Sequence, residues 1–506
     1  MTKSPTRSPP SEASAPEKLS TGIPGLDDVM AGGLPARHLF LIEGDPGTGK
    51  TTLGLQFLLE GARQGERGLY VTLSETKEEL VGAATSHGWS LDSIELFELI
   101  PPEEALRPEG QYTVFDPSEI ELTATTQAIY ETVERVKPVR VVLDSLSEMR
   151  LLARDPLRYR RQILGLKLFF MGRQATVLLI DERSGEGDLQ LRSLIHGVVL
   201  LEQLAFEYGA ERRRLRVTKI RGVRYRGGYH DYTIRTGGLV VFPRLVAAEH
   251  HAPFVHVSVS SGVPELDVLL GGGLDQGTST LIMGHAGCGK TVLASQYASA
   301  AARRDDKVAV YLFDERLGTF LARSNRLGMD FERPMRDGRI HLRQLDPAEI
   351  SPGEFAHMVV HSTQHEGTGI VIIDSLNGYM TAMPEERLVD IRLHELLSYL
   401  AQRGVTTLLT LAQHGVFSKT AGDQPEVSYI ADTLILLRFF EAAGEVRKAI
   451  SVVKKRSGHH EQTIREFQIT DHGVRVGEPL REFQGVLTGE PTYIGQPQPL
   501  LPADPI

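Results

Sequence analysis

Four near-continuous apolar runs mark the first half of the chain: HLFLIEG, GLYVTL, VRVVLD and ATVLLI. Short runs without polar alternation are what strands buried on both faces of a parallel sheet require. Between them, TTLGLQFLLEGARQ and PLRYRRQILGLKLFFMGRQ carry apolar residues at helical spacing. This alternation predicts an α/β fold, a mostly parallel sheet flanked by helices. The last third of each half reads differently. LRVTKIRG with YHDYTIRTGGLVVF, and KAISVVKKRSG with QTIREFQITDHGVRV, have the pattern of antiparallel hairpin strands.

The pattern occurs twice. GIPGLDDVMAGGL, starting at Gly22, returns as GVPELDVLLGGGL, starting at Gly262. GDPGTGKTT returns as GHAGCGKTV, VVLDSL as VIIDSL, and KIRG as KKRS. A period this long is a duplicated domain and not a solenoid. Composition breaks suggest a flexible N-terminal arm over 1–17, a first domain over 18–247 and a linker over 248–254. A second domain then spans 255–484, and a Pro-rich extended tail spans 485–506.

Composition narrows the function classes. In 506 residues, 41% are hydrophobic and 24% charged, enough apolar material for large cores and ordinary for a globular chain. The only cysteine, Cys288, excludes an internal disulfide and a thiolate-rich zinc site, which fits a reducing, cytoplasmic setting. The first sixteen residues lack the apolar core of a secretory signal. No apolar run approaches the roughly 18 residues of a membrane span. A net charge of −10 weighs against nucleic acid as a partner.

Each half carries a GxxxxGK[ST] loop between a predicted strand and a predicted helix. The first comprises Gly44, Asp45, Pro46, Gly47, Thr48, Gly49, Lys50, Thr51 and Thr52. The second comprises Gly284, His285, Ala286, Gly287, Cys288, Gly289, Lys290, Thr291 and Val292. Glycines let backbone N–H groups approach phosphate oxygens, and the helix N-terminus favours negative charge. Lys50 and Lys290 would reach the phosphates of ATP, with Thr51 and Thr291 on Mg²⁺. Asp144 and Asp374 end apolar strands and fit the second Mg²⁺ position, although a strand-end turn aspartate is the plainer alternative.

Glu75 and Glu315 both follow the loop lysine by 25 residues, at the end of a predicted strand. On a strand adjacent to the loop, such a carboxylate can orient or deprotonate a nucleophile; otherwise it caps the next helix. Asp314 adds an acid where the first half has Ser74. Lys219 with Arg221, and Lys454 with Arg456, are spaced to face one way from a strand. They either complete a neighbouring subunit's phosphate site or form a solvated face.

These features together resemble the KaiC family of double-domain, RecA-like P-loop ATPases. The similarity covers nearly all of 18–492. It includes both loops, the DSL strand ends, the KxRG…YTI segment and the stretch ADTLILLRFFEAAGEVRKAISVVKKRSGHHEQTIREFQITDHG. The resemblance implies two tandem RecA-like domains in a homohexamer with ATP and Mg²⁺ at subunit interfaces. It implies slow hydrolysis in the first tier and autokinase chemistry in the second, with the basic pairs touching a neighbour's γ-phosphate.

It also places the phospho-acceptor pair on Ser428 and Tyr429, where the family has threonine at the second position. Asp423 stands where clock members carry another threonine, Ser74 replaces an acid, and Leu327 replaces an aromatic near adenine. A regulatory or histidine-kinase partner is a further implication. The competing readings are a DNA-dependent ATPase of the RecA, RadA or DnaB type, and a nucleotide-gated scaffold with little turnover.

Other signals are weaker. Arg150, Arg154, Arg158, Arg160, Arg161, Lys167 and Arg173 form a basic stretch that suits a solvated or subunit-facing helix. Adjacent histidines, His250–His251 and His459–His460, diverge on a strand or loop and do not chelate. Cys288 lies near a helix N-terminus, where the thiolate is favoured and alkylation would block the loop; a small filler is the alternative.

Overall fold

A computed structural model describes residues 17–99, 117–183, 189–205, 209–381, 389–413, 429–442, 444–486 and 492–495. The chain divides into two units, Met1–Arg244 and Leu245–Ile506. Each contains a nine-stranded sheet. In the first unit the strands are β1 (Leu39–Gly44), β2 (Gly68–Thr72), β3 (Ile94–Glu98), β4 (Arg140–Asp144), β5 (Thr176–Glu182), β6 (Gly197–Leu204), β7 (Arg212–Ile220), β8 (Tyr229–Arg235) and β9 (Gly238–Phe242). Their spatial order is β3-β2-β4-β5-β1-β6-β7-β8-β9.

Strands β1 to β6 pair parallel, and β6 to β9 continue as an antiparallel meander. The second unit repeats this order with β10 (Ser279–Gly284), β11 (Val308–Leu312), β12 (Ile340–Gln344), β13 (Ile370–Asp374), β14 (Thr406–Ala412), β15 (Thr433–Ala442), β16 (Glu445–Lys455), β17 (Arg465–Thr470) and β18 (Gly473–Pro479). These are the two mostly parallel, helix-flanked sheets that the apolar runs predict, in the RecA-like form that the resemblance implies.

The continuous apolar runs follow from burial on both faces. Phe40 and Ile42 of β1 pack with Leu53 and Phe57 of the helix Lys50–Arg63. Leu39 and Leu41 point the other way, toward Ile163 and Leu166 of the helix Pro156–Gly172. Strand β1 therefore lies centrally, with β5 on one side and β6 on the other. Ligands of open α/β sheets bind at the carboxyl ends of strands beside such a switch in strand order.

The repeated lead motif has a structural explanation. Asp27 accepts from the hydroxyls of Ser20 and Thr21 and from the Thr21 N–H, and Asp267 does the same for Ser260 and Ser261.

Two segments differ from the sequence reading. At the joint, Ala247 is buried and its N–H donates to Glu395, and in the linker Ala252 donates to the Gln402 carbonyl, both within the second unit. The chain after Gln484 does not simply extend, because Thr492–Tyr493 pairs antiparallel with Phe483–Gln484. Val486 is buried in one cluster with Phe440, against which Phe483 packs. No helix among the described residues is long and apolar enough to cross a membrane.

Candidate nucleotide sites

Each phosphate loop leaves the carboxyl end of its central strand and enters a helix at Lys50 or Lys290. No side chain caps either helix, so the first-turn N–H groups face the loop unclaimed by a cap. Gly49 (φ 88°) and Gly289 (φ 109°) take left-handed backbone there. A Cβ on Gly49 would lie 2.5 Å from Ile234 Cδ1, and one on Gly284 would lie 2.4 Å from the Leu437 carbonyl oxygen. Close packing thus demands the glycines. Tyr232 of β8 supports the first loop from below, donating to the Thr48 carbonyl at 2.7 Å.

The two lysines curl over their loops. Lys50 Nζ donates to the carbonyls of Gly44 and Asp45 at 2.8 and 3.0 Å; Lys290 Nζ donates to those of Gly284 and His285, both at 2.9 Å. Burial pushes the Lys50 ammonium below its ordinary pKa, opposed by the charges of Asp144, Glu182, Asp45 and Asp181.

Thr51 and Thr291 each meet the strand-end aspartate. Thr51 Oγ1 donates to Asp144 at 3.0 Å and Thr291 Oγ1 to Asp374 at 3.1 Å. Each aspartate has a second hydroxyl donor that the sequence does not announce. For Asp144 it is Tyr70 of β2, at 2.5 Å; for Asp374 it is Thr410 of β14. Burial raises both carboxyls above the usual carboxylate range, and these hydrogen bonds pull in the opposite direction.

Among the described residues no group of three or more His, Cys, Asp or Glu could hold a metal alone. A hydroxyl beside a carboxylate is the partial oxygen set that Mg²⁺ takes when phosphates and water complete its shell. The donor sets at Thr51–Asp144 and Thr291–Asp374 therefore fit Mg²⁺.

Glu75 and Glu315 follow strands placed differently from the sequence expectation. Strand β2, which leads to Glu75, is not adjacent to the loop strand; it borders β4 and brings Glu75 toward Asp144. Thr72 Oγ1 bonds both the Glu75 carbonyl and N–H, at 2.6 and 3.0 Å, fixing the backbone. Burial raises the Glu75 carboxyl, with Asp144 and Glu79 adding to the shift. Its carboxylate has no ion-pair partner among the described residues. The second unit is unlike this. Glu315 pairs with Arg323 at 2.6 Å, and Asp314 accepts from the Ser375 hydroxyl.

The basic pairs stand at the far end of the sheet. Lys219 of β7 is opposite Val198, at the amino end of β6, whereas the loop residue Gly44 is level with Leu201. Lys454 is likewise opposite Leu434 while Gly284 is level with Leu437. Three residues of strand are about 10 Å. Lys219 and Lys454 lie near the ends of β7 and β16, beyond where the outer neighbour strand pairs, and Arg221 and Arg456 follow one residue past those strands.

Their cations bind nearby carbonyls: Lys219 that of Arg192, Arg221 that of Ser193, Lys454 that of Ala431 at 2.7 Å and Arg456 that of Tyr429 at 2.8 Å. Burial lowers the pKa of both lysines, and the adjacent arginines add to it.

Cys288 is fully buried, and burial raises its thiol pKa over the opposing pull of Lys290. Part of the basic stretch is consumed internally: Arg150 pairs with Asp181, Lys167 donates to the Leu194 carbonyl at 2.7 Å, and Arg173 pairs with Glu134. Leu327 packs against the core of the second unit. Tyr429 is 54% exposed; Ser428 and Asp423 lie outside the described residues.

The sequence model of one family, described as the KaiC ATPase, matches twice, over residues 19–246 and 259–481. Among curated proteins, the circadian clock oscillator protein KaiC of Synechococcus elongatus is 29% identical, covering 96% of this chain and 93% of that protein. The protein of the same name from Thermosynechococcus vestitus is 28% identical, covering 96% and 95%. The circadian clock protein KaiC3 of Synechocystis is 28% identical over 95% of each chain.

Proposed function

The chain belongs to the KaiC ATPase family, carrying its domain in two tandem copies, and from this premise we propose that it is a cytoplasmic ring of six identical subunits acting in signalling or timing. ATP binds at subunit boundaries, is hydrolysed in the first unit, and donates its γ-phosphoryl group to Ser428 in the second. Tyr429 is the alternative acceptor. Thr51 with Asp144, and Thr291 with Asp374, would hold Mg²⁺, which when bound neutralises charge on the phosphates.

Lys50 and Lys290 leave their loop carbonyls for the nucleotide phosphates. In the first unit Glu75 accepts the proton of a water whose oxygen attacks the γ-phosphorus while the bond to ADP breaks. In the second, Glu315 with Asp314 accepts the proton of the Ser428 hydroxyl. The observation carrying this reading is the doubled loop–threonine–aspartate constellation. The placement of Lys219, Arg221, Lys454 and Arg456 supports a boundary site. Their offset of about 10 Å from their own loop favours an adjoining subunit's nucleotide over the chain's own.

A net charge of −10 favours this reading over a DNA-dependent motor. Intact-mass measurement after incubation with Mg-ATP tests it: the chain gains a phosphoryl group, and Ser428→Ala does not. No gain in the unaltered chain removes the kinase assignment. A partner such as a histidine kinase would read the phosphorylated state.

A further inference from the structure

The two acids that follow the loop lysines by the same interval are treated oppositely. Glu75 makes no ion pair among the described residues, although the Lys50 charge acts on it, and the helix beyond it carries Ala83 at the position where the second unit carries Arg323. Arg323 rises from the helix Leu317–Arg326, passes beside the Phe320 ring at 5.4 Å and places Nη1 2.6 Å from Glu315 Oε1. Its other terminal nitrogen, Nη2, is buried and has no hydrogen-bond partner among the described residues. The positive charge also acts on Asp374, the strand-end acid that meets Thr291. Arg323 therefore stands between the second site's base and its metal-side carboxylate, with one donor committed and one spare.

We propose that Arg323 is a positioning residue that withholds Glu315 from the second nucleotide site until the arginine is displaced, so that ATP waits there unreacted until then while the first site turns it over. This rests on the reading of the second loop as an ATP site. A carboxylate engaged in a charge-assisted hydrogen bond points its lone pair at the guanidinium and not at a nucleophile. Once Arg323 swings away, Glu315 accepts a proton from the attacking hydroxyl, that of water in the hydrolysis the test reads, as its oxygen bonds to the γ-phosphorus and ADP leaves with the electrons of the broken P–O bond. The buried, unpartnered Nη2 makes a phosphate oxygen the natural competitor for the arginine.

The test uses the full chain with Glu75→Gln, which silences first-site hydrolysis and leaves its loop intact. Adding Arg323→Ala, the residue type of the first unit, raises steady-state phosphate release about tenfold. The change falls on kcat with KM little altered. Arg323→Lys returns the low rate, and Glu315→Gln abolishes the gain.

An unchanged or lower rate in Arg323→Ala, or a gain that survives Glu315→Gln, overturns the proposal. Bound nucleotide is counted in every variant. Two per chain with no rate gain refutes the gate alone, whereas one per chain refutes the second ATP site and the gate with it.

Discussion

Arg140 opens the strand that ends in Asp144, and it is fully buried. Its Nε donates to Glu66 at 2.5 Å, and Nη1 donates to the carbonyls of Ser20 and Phe57 at 2.7 and 2.9 Å. The guanidinium lies 4.7 Å from the centre of the Phe57 ring. One side chain thus joins the lead segment, the phosphate-loop helix and the Asp144 strand.

Arg140→Ala leaves two interior carbonyls without this donor and Glu66 without its cation. Breaking a buried charge pair costs about 3–5 kcal/mol. Glu66 is 22% exposed, so water recovers part of its loss and the low end, about 3 kcal/mol, applies. For a unit of this size that is a fall of about 6–12 °C in its thermal transition. The second unit has Ile370 at this position, so its transition should not move. Arg140→Met, which keeps the apolar stem against Phe57, should recover only the packing share. Calorimetry resolving the two units reads the effect. A first-unit shift under about 2 °C would refute the argument that Arg140 holds these three elements together.

Three further outcomes are expected. Tyr70→Phe removes a hydroxyl from Asp144, and Thr410→Val removes one from Asp374; each should raise the Mg²⁺ needed for half-maximal activity at its own site by about tenfold. A Mg²⁺ titration unaltered in both variants contradicts the role given to these donors. Glu75→Gln should stabilise the fold at pH 7 while stopping first-site hydrolysis. The raised carboxyl pKa means that Glu75's favourable contribution is complete below its unfolded value, about 4.3, and is lost as pH rises through the folded value. Urea unfolding at pH 4 and pH 7 checks the sign, and lower stability of the variant at pH 7 would contradict it. Cys288 should react with thiol reagents only after unfolding, since it is buried and its thiol pKa is raised. Rapid labelling of the folded chain would show that burial does not govern it.

Much of the fold is legible because burial on both faces forces a continuous apolar run, and each of the four quoted runs is a parallel strand. The phosphate loops are legible because glycine positions with no room for a Cβ leave a fixed signature. Strand order is less so. Periodicity says which residues are buried but not which strands pair, so β2 was placed beside β1 when β5 and β4 intervene.

The second donors to the strand-end acids were hidden for a related reason. Tyr70 and Thr410 come from different strands of the two units, and the register equivalent of each is apolar, Val310 and Ile180. A signal was present in the duplication itself. Aligning the halves exposes Tyr70 against Val310 and Ala83 against Arg323, changes of chemistry inside an otherwise matched pattern.

The central claim is that each nucleotide is completed by basic residues of an adjoining chain, and mixed rings test it most directly. Glu75→Gln chains keep Arg221 but lack the first-site base, and Arg221→Ala chains keep the base but lack the arginine. Each alone should show no first-site hydrolysis. Assembled together in equal amounts, about one quarter of boundaries join an intact base to an intact arginine, so about one quarter of the unaltered first-site rate should return. A mixture no more active than its separate components would contradict the claim.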